Sequence, residues 1–110
     1  MPRTKREKWA SNLGLERVYE PSVRDAVHGP SDLRGQWHAN VFGNAHPITL
    51  ELGCGKGEYT VELARRHPER NFIGVDIKGH RYWHGAHAAD QAGLTNAAFL
   101  RAKIEFLENH

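Results

Sequence analysis

From Ile48 onward the hydrophobic and polar positions settle into short alternating elements. Ile48–Leu52 is a largely apolar run that ends at Gly53-Cys54-Gly55-Lys56-Gly57, as a strand does when it enters a tight glycine turn. A helix is predicted next. Tyr59, Val61, Leu63 and Ala64 supply its buried side, Arg65 and Arg66 sit where the helix dipole favours cations, and Pro68 stops it. Asn71–Asp76, with Phe72, Ile73 and Val75, reads as a second strand. Residues 81–92 read as a second helix, with Tyr82, Ala86 and Ala89 at i, i+4 and i+7 on its apolar face and Gly93 ending it. Ala97–Arg101 is the third strand. Strand and helix alternate, which predicts a parallel sheet with right-handed crossovers, the first half of a doubly wound α/β domain. Winding in one direction puts both helices on one face. The opposite face is therefore expected to lack helical cover and the first strand to keep a free edge, leaving the chain marginal or self-associating.

Before Pro47 the pattern is broken. Trp9, Leu13 and Leu15 suit a short helix, but Pro21, Gly29, Pro30, Gly35, Gly43 and Pro47 interrupt longer runs. Trp37, Val41 and Phe42 are expected to dock on the alternating elements that begin at Ile48. The chain is accordingly divided into residues 1–46, a basic arm and docking segment, and residues 47–110. Of its 110 residues 39% are hydrophobic and 25% charged, with no apolar run long enough to span a membrane or to serve as a signal peptide. One cysteine, Cys54, precludes an internal disulfide and fits a reducing cytoplasm. The net charge of +2 is too small to point to nucleic acid. Its distribution is more informative: residues 1–24 hold six basic against three acidic side chains, and Arg3, Lys5, Arg6 and Lys8 could contact phosphate. Nothing in the pattern specifies an oligomeric state.

The glycine turn carries the most chemistry, because glycines after a first strand let backbone amides approach a bulky ligand. A dinucleotide fingerprint needs Gly or Ala where Glu58 stands, and a phosphate-cradling P-loop needs a Gly-Lys-Ser/Thr that is missing. What remains is acid-x-Gly-x-Gly-x-Gly, with Asp76 nineteen residues past Gly57, a layout that suits S-adenosyl-L-methionine. Glu51 could hold the cofactor's ammonium group, directly or through water, and Asp76 could accept both ribose hydroxyls. The bland alternative is a glycine turn with a solvated acid beside it.

The segments LELGCGKGEYTVELA, NFIGVDIKGHRYWHGAHAA and GLTNAAFLRAKIEFL, with GQWHANVFGNAHPI before them, resemble the bacterial tRNA (guanine-N7)-methyltransferases over residues 35–107. The resemblance implies a Rossmann-like class I S-adenosylmethionine-dependent methyltransferase fold, truncated here after the third parallel strand. It further implies methyl transfer to N7 of guanine 46 of tRNA, with Glu51 and Asp76 binding cofactor and Gly53 and Gly55 lining its pocket. Two departures stand out. Many members place Asp or Asn after strand three near the adenine, where this chain runs Arg101-Ala102-Lys103-Ile104, so adenine is expected to meet backbone or Ile104. The family's catalytic Asp lies in an Asp-Pro-Trp-Pro-type segment after a fourth strand and is expected beyond His110. On this reading residues 47–110 are the cofactor-binding half and hold no catalytic residue. A non-catalytic cofactor- or RNA-binding stub and a small-molecule methyltransferase are the alternatives.

His80, His84 and His87 share helical spacing but lie opposite Tyr82, Ala86 and Ala89, so they are expected to face solvent or RNA rather than a metal. Cys54, between two glycines, reads as packing under the turn rather than a nucleophile. Lys56 and Lys78 are either surface charges or phosphate contacts. Trp83 is either boundary packing or a stacking surface for a base.

Overall fold

A computed structural model of the chain describes Thr4, Lys5, Glu7 and residues 15–110. The three predicted strands have the expected bounds: β2 (Ile48–Leu52), β3 (Asn71–Asp76) and β4 (Ala97–Arg101). A further strand precedes them, β1 (Val18–Tyr19), two residues long and invisible to a periodicity argument. All pairs are parallel, in the order β1-β4-β3-β2, with Leu50 opposite Ile73, Gly74 opposite Phe99 and Asp76 opposite Arg101. β2 therefore lies at the sheet edge, as expected of the first strand of the alternating set.

Between the strands run α1 (Val23–Ala26), a π-helical turn (Trp37–Phe42), α2 (Glu58–Arg66) and α3 (Trp83–Gln91), and a 3-10 helix (Ile104–Asn109) comes after β4. α2 and α3 share one face of the sheet, where Val61, Ala64, Phe72, Tyr82, Ala86 and Phe99 form a buried cluster. Tyr82 and Phe99 stack with ring centroids 5.4 Å apart. Asn96 donates its amide to the carbonyls of Ala64, in the last turn of α2, and of His67 and Arg70 in the turn that follows, at 2.9–3.1 Å. Tyr59, expected in this core, is 64% exposed, and Thr60 takes the inward position instead.

The opposite face is not bare, contrary to expectation. Ile73, Val75, Ala98 and Leu100 are covered by Leu33, Trp37, Val41, Phe42 and Leu107. The docking expected of Trp37, Val41 and Phe42 thus lands on the face opposite α2 and α3. Long-range bonds hold this cover: Trp37 Nε1 donates to the His110 carbonyl at 2.7 Å and the Ser31 amide to the Asn109 carbonyl at 2.7 Å. The cover reaches Ile48 at the start of β2 but not the rest of the strand, where Leu50 is 46% and Leu52 49% exposed. Leu15 packs against the helical face. Trp9 and Leu13, of the expected N-terminal helix, lie outside the described residues, while Thr4 and Glu7 exchange the two hydrogen bonds of a capping box. Among the described residues no helix is long and apolar enough to cross a membrane.

Candidate functional site

The glycine turn leaves the carboxyl end of β2 and is pinned to the neighbouring strand, because the amides of Gly53 and Cys54 both donate to the Val75 carbonyl, at 2.7 and 2.9 Å. Gly53, Gly55 and Gly57 have φ of 69°, 56° and 80°, the left-handed region that L side chains rarely enter. Their surroundings differ. A Cβ on Gly53 or Gly55 would meet nothing within 4 Å, whereas one on Gly57 would lie 2.6 Å from a Phe99 ring carbon. Gly57 also faces Gly85 of α3, where a Cβ would come within 2.8 Å of the Gly57 backbone, and the Gly85 amide donates to the Lys56 carbonyl at 2.8 Å. The third glycine and Gly85 are therefore packing residues, while the first two border open space. Gly85 was missed from the sequence, although a glycine inside a helix is itself a sign of close approach.

Asp76 ends β3 and is 8% exposed. One carboxylate oxygen accepts the Gly55 amide at 3.1 Å and the other the Lys78 amide at 2.9 Å. Turn and acid thus form one unit, and a carboxylate with two oxygens keeps further acceptor capacity. Gly53, Asp76 and Ile104 line a single cleft of about 410 Å3, together with Val75, Ile77, Arg81, Ala102, Lys103 and Glu105. That size lies in the range of small-ligand sites. Ile77 and Ile104 present apolar surface there, 38% and 51% exposed. Gly55, expected in the pocket, does not line this cleft, and neither does Glu51. Its carboxylate accepts the Thr60 hydroxyl at 3.0 Å on the α2 side of the turn.

Cys54 is buried beneath the turn, and its thiol is pushed up to about 12, first by burial and then by the Asp76 and Glu51 carboxylates. That setting opposes nucleophilic use. Behind the cleft, Tyr82 donates its hydroxyl to Glu20 at 2.7 Å, linking the end of β1 to the start of α3. Burial, then Glu20, drives the phenol far above its ordinary range. A larger hollow of about 540 Å3 lies away from the turn, under β1 and α1.

Of the basic residues singled out, Lys5, Lys56 and Lys78 are exposed or partly so, whereas Arg3, Arg6 and Lys8 lie outside the described residues. Tyr82, Ala86 and Ala89 are buried as expected, and His84 is exposed on the other side of α3. Among the described residues no group of three His, Cys, Asp or Glu side chains could hold a metal.

A strand–glycine-turn–helix with an acid at the end of the next parallel strand stands here at the carboxyl edge of an α/β sheet, the edge where open sheets of this kind bind ligands. Residues 45–110 match the family model described as "Putative methyltransferase", and the chain belongs to that methyltransferase family. Among curated proteins it is similar to the tRNA (guanine-N(7)-)-methyltransferases, as the sequence motifs implied. It is 51% identical to the protein of Christiangramia forsetii, over 96% of this chain and 47% of that one. It is likewise 51% identical to that of Bacteroides thetaiotaomicron, over 98% of this chain and 43% of that one. The chain thus spans about half the length of the curated relatives it matches. A solved structure titled as PKMT2 from Rickettsia typhi in complex with AdoHcy aligns over 66% of this chain and 15% of its own, at 23% identity and a TM-score of 0.44.

Proposed function

We propose that the chain is the S-adenosyl-L-methionine-binding part of a cytoplasmic tRNA methyltransferase that acts on N7 of guanine 46. The observation that carries this reading is one cleft that joins Gly53, Asp76 and Ile104, in a chain half identical to curated enzymes of that name. When bound, the cofactor supplies a methyl group on a sulfonium. Asp76 accepts the ribose hydroxyls while the Gly55 and Lys78 amides hold its carboxylate in place. The open space beside Gly53 and Gly55 lets the ligand lie against backbone. Ile77 and Ile104 give the adenine an apolar seat, and Glu51, from beyond the turn, takes the ammonium group. Guanine N7 is already nucleophilic, so the reaction asks for orientation and an electrostatic setting rather than a base. These residues bind the donor. Arg3, Lys5, Arg6, Lys8 and Lys78 contact tRNA phosphates.

The test is calorimetric titration of the chain with S-adenosylmethionine beside Asp76→Ala, with tRNA binding measured at two salt concentrations. Cofactor binding lost in the variant, and tRNA binding that weakens with salt, are the expected results. A folded chain that binds cofactor equally well without the Asp76 carboxylate refutes the site. Cofactor binding without tRNA binding favours a small-molecule methyltransferase.

A further inference from the structure

We infer that the outer surface of residues 78–87 is an RNA-binding platform at the mouth of the cofactor cleft, with Trp83 as its stacking centre; this rests on the proposed action on tRNA. The first ground is charge. Residues 78–89 carry Lys78, His80, Arg81, His84 and His87 without a carboxylate, and the next acid is Asp90. Lys78 and Arg81 supply the positive charge and the imidazoles ring N–H donors, a set complementary to a phosphate backbone.

The second ground is the arrangement of rings. Tyr82, just before α3, and Gly85, Ala86 and Ala89 on it face inward. Its largest side chain, the half-buried Trp83, lies with two imidazoles instead, ring centroids 4.9 Å from His84 and 4.8 Å from His87. The three rings form a preset aromatic surface, and unstacked bases are held on surfaces of this kind. A packing role would explain Trp83 alone, but not an exposed His84 on the same surface amid a run free of acids.

The third ground is position. The Lys78 amide holds Asp76, and Arg81 lines the cleft with Asp76. The platform is thus continuous with the donor site, where the target base has to come. Lys78 and Arg81 meet phosphate, and the Trp83 cluster meets a base next to it.

The experiment measures binding of the 110-residue chain to fluorescently labelled tRNA by anisotropy across a salt series, with S-adenosylmethionine titration and thermal unfolding run on each variant. Trp83→Ala is expected to weaken tRNA binding about tenfold, a loss of the size that removal of one stacked base produces. The slope against salt should stay unchanged, because the tryptophan carries no charge. Arg81→Ala is expected to weaken binding and lower the slope by about one. Should Trp83→Ala fold poorly, the surface variant His84→Glu/His87→Glu decides, with a similar loss expected. Wild-type tRNA affinity in a folded double-glutamate variant overturns the platform and leaves the proposed function standing. No tRNA binding by the unmodified chain overturns the RNA reading, and the platform with it.

Discussion

Gly85→Ala tests whether α3 is seated on the glycine turn as closely as the structure requires. The added methyl carbon would lie 2.8 Å from the Cα, carbonyl carbon and oxygen of Gly57. All three are backbone atoms, so no rotamer change relieves the contact. α3 would have to withdraw by about half an ångström or more to restore ordinary van der Waals distance. Withdrawal also stretches the 2.8 Å bond from the Gly85 amide to the Lys56 carbonyl, which satisfies a first-turn amide of the helix. Overpacking costs about 1–3 kcal/mol, and a rigid neighbour belongs at the upper end. Against this, alanine gains about 1 kcal/mol over glycine in helix propensity, leaving a net loss of about 1–2 kcal/mol. Urea unfolding monitored by circular dichroism should show a lower midpoint at an unchanged slope. Ala88→Gly, on the same helix and outside its buried face, calibrates the propensity difference. A Gly85→Ala chain as stable as the parent or more so refutes the close seating.

Two further outcomes concern buried groups. Tyr82→Phe removes the 2.7 Å bond to Glu20, whose other carboxylate oxygen is buried and has no partner among the described residues. A loss of about 1–3 kcal/mol is expected, with Glu20→Gln milder, both read from the denaturant midpoint. The Cys54 thiol, ordinarily at 9.0, is raised to about 12 by burial and the two nearby carboxylates. It should therefore react with a disulfide reagent at pH 8 only as the chain unfolds, and prompt labelling of folded protein would contradict this. Because the folded state holds that proton more tightly than the unfolded one, the contribution to stability is complete below about pH 9 and is lost as pH rises toward about 12. A Cys54→Ala chain should lack that part of the alkaline fall.

Of the three strands beginning at Ile48, the first two were legible as runs with β-branched or aromatic residues bounded by proline, glycine or a charged residue, and the third as a short apolar run closed by Arg101. The second helix was legible in its buried face but not its start, since Arg81 and Tyr82 belong to a turn in which the Arg81 amide donates to the Lys78 carbonyl. Tyr59 was misplaced because an apolar pattern rewards ring size, whereas the fold buries Thr60, whose hydroxyl satisfies Glu51. β1 and the cover over Ile73 and Leu100 rest on contacts across most of the chain, such as Trp37 to His110, and periodicity has no access to those. At the site, the residue types of Gly53, Gly55 and Asp76 signalled a ligand. The arrangement that separates Glu51 from the cleft of Gly53 and Asp76 depends on Thr60 of α2, a contact that no local pattern encodes.

The glycine motif does two physical jobs. Gly57 and Gly85 let α3 approach, and Gly53 and Gly55 leave open space that a side chain would occupy. The turn between them is held from both directions: Lys56 offers its carbonyl to α3 and Gly55 its amide to Asp76. A loop fixed in this way needs little further ordering on binding, and less of the binding free energy is lost to rearrangement. The N-terminal segment takes part as well. Glu20, at the end of β1, holds Tyr82 where α3 begins, and Tyr82 stacks on the Phe99 ring that lies against Gly57 and Gly74. Residues before Pro47 therefore bear on the glycine turn through packing, although among the described residues none before it lines the cleft.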